Sequence, residues 1–472
     1  MPRRNALLKC LKTRKTLRMS SIPNKRDFTK GAILPHVFRM AIPMTIGIGA
    51  IISFSLADTY FIGLLGATEL AAIGYTFPVT TLFFNLIFGM AIAMSAVISR
   101  KVGAGKMDEV RTTVTVGLTI TILISTLLSL VGYALMDPIF NGVGAGADVM
   151  PIIKSYMPIW FVGAVFLSIP VVANAAIRGM GDAFWPAFVM VLVAVMNIIL
   201  DPILIFGLFG APRLEVEGAA YASLISYVIA AVTALSIIIF REKLFAPFCI
   251  FSRACWALGA KSLLVIAIPV SLANVITPIV SYGYTSILST LGDEAVAGFG
   301  VATRFEAFAL IPIMALAGGI APLIGQNYGA GLMDRVNEAM MKALKFAVFY
   351  GVGCAAVLAV IANPLASAFS SDPIIHEFVS NYLIYIPISF VGLNVFLAVT
   401  SAMNAMEQPK KSLVLNLIRS FVIALPAAYF LVNIMGEIGF FWSVILTNMI
   451  SFVVAVYCLK TLDCFQCLKK IF

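Results

Sequence analysis

AIPMTIGIGAIISFSLADTYFIGLLG, residues 41–66, comes back as AIPVSLANVITPIVSYGYTSILSTLG at residues 267–292, aligned without a gap at an offset of 226. The same offset carries Gly74 onto Gly300, Gly103-Ala104-Gly105 onto Gly329-Ala330-Gly331 and Met107-Asp108 onto Met333-Asp334. A register held over so many punctuating residues marks an internal duplication. At ~1.5 Å of rise per helical residue, the repeated stretch is long enough to cross the ~30 Å hydrocarbon layer of a bilayer. Its one acid, Asp58, has Tyr284 at the matching place.

Working outward, about twelve apolar segments of spanning length follow one another, near 36–65, 68–99, 108–136, 150–178, 183–209, 217–240, 260–291, 294–326, 334–362, 376–405, 410–434 and 438–460. Several exceed the ~20 residues a span needs, which implies tilt or kinks. Composition agrees: of 472 residues, 61% are hydrophobic and 11% charged, and the mean hydropathy of +1.02 is far above that of a soluble domain. The fold class expected is an all-α membrane protein of about twelve helices in two six-helix bundles. An even number of spans per repeat gives both bundles the same orientation, related by a pseudo-two-fold axis along the membrane normal.

The net charge of +10 does not point to nucleic acid. The basic residues gather in the N-terminal tail and in alternate loops: Arg100, Lys101 and Lys106, then Arg178, then Arg241, Lys243, Arg253 and Lys261, then Arg335, then Lys410 and Lys411. The loops between are neutral or acidic apart from Arg213. That pattern predicts a multi-pass cell-membrane protein with both termini cytoplasmic and membrane lipids as its surroundings. The expected organisation is a basic tail (1–30), an N-terminal bundle (31–240), a cytoplasmic linker (241–259), a C-terminal bundle (260–460) and a short tail (461–472). The tail lacks the apolar core of a signal peptide, and Met19 begins a second plausible start. The seven cysteines form no disulfide framework, and the Cys464/Cys467 pair has neither a second CxxC nor a His pair to complete a zinc site.

The deep acids carry the functional signal. Asp58 lies about seven residues from the outer end of its span and Asp201 about eight from the outer end of its own, a depth of ~10 to 12 Å for both. Ser223 comes out at ~9 Å, and Asn197, four residues before Asp201, shares its helix face. An ionised carboxylate left unpaired in hydrocarbon costs several kcal/mol, so such residues are retained for ion or proton movement more often than for packing. Two carboxyls together out of water can hold a proton near neutral pH. They can also coordinate Na⁺ with the Asn197 amide oxygen and a hydroxyl, since hard cations take oxygen ligands. The architectural alternatives are a helix-packing role for Asp58, satisfaction of backbone groups at the Pro202 kink for Asp201, and interhelical hydrogen bonding for Asn197. At the repeat offset Asn174 falls on Thr400, Asn197 on Ile423 and Asp201 on Ala427, so the C-terminal half has no matching cluster.

That half has its own charges, Arg304, Glu306 and Arg419, all near mid-membrane. Glu306 and Arg419 reach similar depth, so an ion pair between them is expected, with a structural or gating role or as a second ion or substrate site.

The chain resembles the multidrug and toxic compound extrusion (MATE) transporters, in the branch similar to DinF proteins. The resemblance rests on DFTKGAILPHVFRMAIP, DTYFIG, GAGKMDEV, AAIRGMGD at 175–182, NIILDPILIFG at 197–207, EGAAYASLIS at 217–226 and GGIAPLIGQNYGAG at 318–331. It implies a V-shaped pair of bundles around a cavity opening to either side in turn, expelling small, mostly cationic organic molecules against Na⁺ or H⁺ entry. It also implies that Asn174 and Tyr156 join Asp58, Asp201 and Asn197, with Ser223 standing where relatives often place a small hydroxyl or alanine. Met90, Met94, Met180, Met314, Phe54, Phe77, Phe83, Phe84 and Tyr75 fall in spans that line the cavity in relatives, and soft or aromatic side chains suit promiscuous cations.

No enzyme chemistry is expected. GVGAGA at 142–147 follows a membrane span rather than a strand, and no GxxxxGK[ST] occurs, so neither a nucleotide loop nor another cofactor is implied. A lipid-linked saccharide flippase of related architecture is the alternative, but it calls for a basic cavity, whereas the N-terminal bundle is acidic. The chain is expected to act as a monomer.

Overall fold

The structure, a computed structural model, describes residues 27–369 and 372–460. Most of the basic N-terminal tail and the Cys464/Cys467 pair lie outside the described residues. Twelve helices among those described are long and apolar enough to cross a membrane. The first six are α1 Ile33–Gly63, α2 Ala67–Gly103, α3 Met107–Ala134, α4 Met150–Gly179, α5 Phe184–Phe206 and α6 Glu215–Arg241. The second six are α7 Arg253–Leu291, α8 Asp293–Gly329, α9 Met333–Phe369, α10 Pro373–Ala405, α11 Pro409–Met435 and α12 Glu437–Lys460. No strand occurs among the described residues.

Local chemistry sets the ends. Helix α5 stops at Gly207, whose φ of 73° is left-handed and suits a residue without Cβ. Helix α10 starts behind the N-cap Asp372, whose carboxylate accepts from the Ile374 and Ile375 amides. Helix α7 starts at Arg253 behind a Ser252 cap, so the connection between the halves is shorter than the expected 241–259. Large apolar side chains such as Phe349, Val360 and Val422 face outward, an arrangement that lipid rather than water favours.

The halves exchange elements. The first part of α1, with Val37, Met40 and Met44, belongs to a core built mainly from α8, α9 and α10. The first part of α7, with Leu263, Ile266 and Val270, belongs to the core of the N-terminal half. Where the two halves cross, contacts obey the repeat. A Cβ on Gly103 would lie 1.9 Å from the Gln326 carbonyl oxygen, and one on Gly329 would lie 2.1 Å from that of Arg100. Only glycine permits these approaches, and the two contacts exchange under the 226-residue offset. Hydrogen bonds repeat the relation: Arg100 Nη1 donates to the Ala405 carbonyl (2.9 Å) and Gln326 Nε2 donates to that of Gly179 (3.2 Å). Arg100 also pairs with Glu407 at 2.9 Å, and Gln326 Oε1 accepts from the Phe28 amide at 3.1 Å. Lys106 in a loop, with Lys101, Lys410 and Lys411 in the adjoining helix ends, lies at this end, called here the basic-loop end. Toward the opposite end of the same helices, Gly74 and Gly300 face open space: the halves touch at one end and part at the other.

Candidate functional site

The N-terminal half gathers its polar residues near the end where the halves part. Asp58 is five residues before the end of α1, and Asp201 is five before the end of α5. Ser223 and Tyr227 lie one turn apart on α6, and Tyr156 is in the second turn of α4. Asp201, Asn197, Ser223, Tyr156 and Tyr227 are all buried, and Asp58 is half-buried.

Asn197 connects the group. An amide oxygen must face donors and its nitrogen acceptors. With the nitrogen turned to Asp201, it donates to Oδ2 (2.7 Å) and Oδ1 (3.2 Å), while the oxygen accepts from Ser223 Oγ (3.0 Å) and the Ser223 amide (3.3 Å). Asn197 thus braces Asp201 against α6. In this arrangement its oxygen faces Ser223. Asp58 lies close enough to Asp201 for their charges to interact, and both carboxyls act on the Tyr156 and Tyr227 hydroxyls. Asp58 Oδ1 is enclosed and has no hydrogen-bond partner. Two carboxyls beside neutral oxygens, one carboxylate oxygen unclaimed, form a donor set that fits a proton or a hard cation.

Asn174 does not join them. It lies eighteen residues beyond Tyr156 on α4, which is ~27 Å along a helix, toward the basic-loop end. It is buried there with its Oδ1 unpartnered. The motif alone does not place it, and the continuous run of α4 carries it away from the group. Tyr227 is the member that sequence reasoning missed. Its spacing of four from Ser223 puts it on the same helix face and was a usable signal.

The C-terminal half presents a different interior on the same frame. Tyr284 stands at the Asp58 place, and Tyr382 at the Tyr156 place. Glu306 Oε2 accepts from the Tyr382 hydroxyl at 2.5 Å. Arg419 sits in a π-helical turn, Ile418–Ala424. It donates from Nη2 to Asn448 Oδ1 (3.0 Å) and lies 5.3 Å over the Phe396 ring, while Asn448 donates to Ser389 Oγ (2.8 Å). The expected Glu306–Arg419 ion pair is therefore not a direct contact. Each group has its own neutral partner, and the two act on each other only through space. Arg304 is exposed and takes no part.

The aromatic and methionine expectations divide in the same way. Met90, Met94, Met180 and Phe83 are buried in the core, whereas Phe77, Phe84 and Met314 are exposed. Apolar composition alone does not separate these two fates.

The MatE family model matches residues 43–203 and 269–430, one match in each half. The chain is similar to a protein of Shewanella oneidensis named FAD transporter, 36% identical over 424 residues, 89% of this chain and 93% of that one. It is also similar to the probable multidrug resistance protein NorM of Halalkalibacterium halodurans, 25% identical over 84% of this chain and 87% of that one. Among solved structures, the Vibrio cholerae MATE transporter VcmN in the bent form superposes with a TM-score of 0.85 at 28% identity, covering 93% of this chain and 97% of that one. A multidrug resistance MATE transporter in an outward-facing conformation gives a TM-score of 0.87 at 25% identity, covering 96% and 100%.

Proposed function

This chain belongs to the MATE family of membrane transporters, and on that premise we propose that it is a cation-coupled antiporter exporting small organic molecules by alternating access. The observation that carries the reading is the Asp58–Asp201 pair, enclosed in one half only, with Asp58 Oδ1 unclaimed. Entry of H⁺ or Na⁺ neutralises a charge that the surroundings tolerate poorly. Asp58 on α1 and Asp201 on α5 then repack together with Asn197 and Ser223. Because α1 also packs against α8 at the basic-loop end, a change at Asp58 is transmitted to the contact between halves. That end carries the positive loops and is assigned to the cytoplasm, with both termini, in a cell-membrane monomer.

Small, mostly cationic organic molecules are the first substrate class, supported by the multidrug names of the relatives and by the acidic N-terminal half. A second reading has its own support: the relative at 36% identity is named FAD transporter, and the C-terminal half holds an exposed arginine. Purified protein in liposomes, given a pH gradient or a Na⁺ gradient separately, tests the coupling. Export is expected under one of the two and to be lost in Asp58→Asn. Export indifferent to both gradients would overturn antiport.

A further inference from the structure

We propose that Arg304 recognises an anionic group of the transported molecule, a phosphate or diphosphate attached to a flat aromatic body, in the space between the two halves. The proposal rests on the reading of this cleft as the transport route.

Three observations place Arg304. Its neighbours on α8 point into their own half: the Phe305 ring packs against Phe369 on α9 with centroids 5.0 Å apart, Glu306 bonds Tyr382 on α10, and Ala302 is fully buried. Arg304 itself is exposed. At ~100° per residue, Gly318 and Gly319 bracket its direction around the helix. There the same face meets the other half, Met44 Cε lying 3.6 Å from a Cβ built on Gly318 and Met40 Cβ lying 2.9 Å from one on Gly319. Arg304 continues that face beyond the contact, on the part of α8 where Gly300 meets open space.

Height follows from the same contact. Arg304 precedes Gly318 by fourteen residues on α8, and Asp58 follows Met44 by fourteen on α1, which runs the other way. Both stand ~21 Å from the crossing. The cleft thus has a guanidinium on one side, level with the coupling acids enclosed in the other. Arg304 makes no hydrogen bond or ion pair with any described residue, and Glu306 on the opposite face is engaged by Tyr382. A guanidinium at this depth without a protein partner marks a functional site. Its planar fork matches phosphate oxygens two at a time, which an ammonium cannot do. One turn along, Phe308 is exposed, and one turn back Gly300 opens onto space. The result is an aromatic platform beside the charge with room for a ring system.

The test uses full-length protein and three probes that share one ring system: riboflavin without phosphate, flavin mononucleotide with one phosphate, and flavin adenine dinucleotide with a diphosphate. Affinities come from flavin fluorescence in detergent and transport from liposomes. Wild type is expected to bind the phosphorylated forms about tenfold or more tighter than riboflavin, Arg304→Gln to bring that ratio near one, and Arg304→Lys to keep part of it. A ratio near one in wild type, or a ratio unchanged in Arg304→Gln, overturns the assignment. So does an equal loss for all three flavins, which would mark a structural role. Gradient-driven export of a cationic dye by wild type, measured alongside, reports on antiport by itself. Dye export without any phosphate preference overturns only Arg304's role, whereas a phosphate preference without gradient-driven export of any probe overturns antiport.

Discussion

The two halves share a frame and differ in what fills it. Tyr156 and Tyr382 occupy the same repeat position and both reach their half's polar interior. Around Tyr156 stand two acids, an amide and a hydroxyl, and among the described residues no basic side chain pairs with either acid. Around Tyr382 stand one acid and one base, each held by a neutral partner: Glu306 by Tyr382 itself, and Arg419 by Asn448 with the Phe396 ring beneath it. The C-terminal cluster leaves a donor, Arg419 Nε, without a partner, whereas the N-terminal cluster leaves an acceptor, Asp58 Oδ1, which a cation can use. Duplication supplied the scaffold twice, and the two deep acids stand in one copy only.

That contrast predicts a graded set of effects. Asp58→Asn should abolish gradient-driven export, a loss of about a hundredfold or more in initial rate in liposomes. Asp58→Asn combined with Tyr284→Asp should not recover it, because Asp201 and Asn197 have no counterparts around Tyr284. Recovery would show the halves to be interchangeable. Asn197→Leu removes the brace on Asp201 and should slow export about tenfold, with the response to pH or Na⁺ displaced, since the carboxylate loses the donors that position it. Tyr382→Phe should act on stability instead. Loss of the hydrogen bond to Glu306 should destabilise the protein by about 1–3 kcal/mol, read as a lower melting temperature, with export changed less than about threefold. Glu407→Gln should do least. Its pair with Arg100 is largely exposed on the Glu407 side, and Arg100 keeps its bond to the Ala405 carbonyl, so the shift should stay under about 1 kcal/mol.

Much of the candidate site is legible in the amino-acid sequence. Asp58, Asp201, Asn197 and Ser223 share a depth that follows from counting residues to the ends of their spans, because a membrane helix has a nearly constant rise and known limits. Tyr227 was open to the same kind of reading, through its helical spacing from Ser223, but tyrosine in an apolar span draws no notice beside buried acids. Asn174 is misplaced by its motif because motif neighbourhood does not measure distance, and eighteen residues of helix do. The Glu306–Arg419 pair is expected from equal depth, but depth leaves azimuth open. The π-helical turn at Arg419 and the reach of Tyr382 give each charge another partner.

The sequence alone determined the class, the twelve spans, the duplication and the asymmetry of charge between the halves, since each of these is a property of composition, periodicity or register. Only the tertiary structure decided how the halves meet. The exchange of α1 and α7 and the reciprocal contacts of Gly103 with Gln326 and Gly329 with Arg100 join residues more than two hundred positions apart. No local pattern encodes them. They arise because two copies of one helix surface cross closely enough for backbone to touch backbone, which glycine allows and which packing, rather than spacing along the chain, selects.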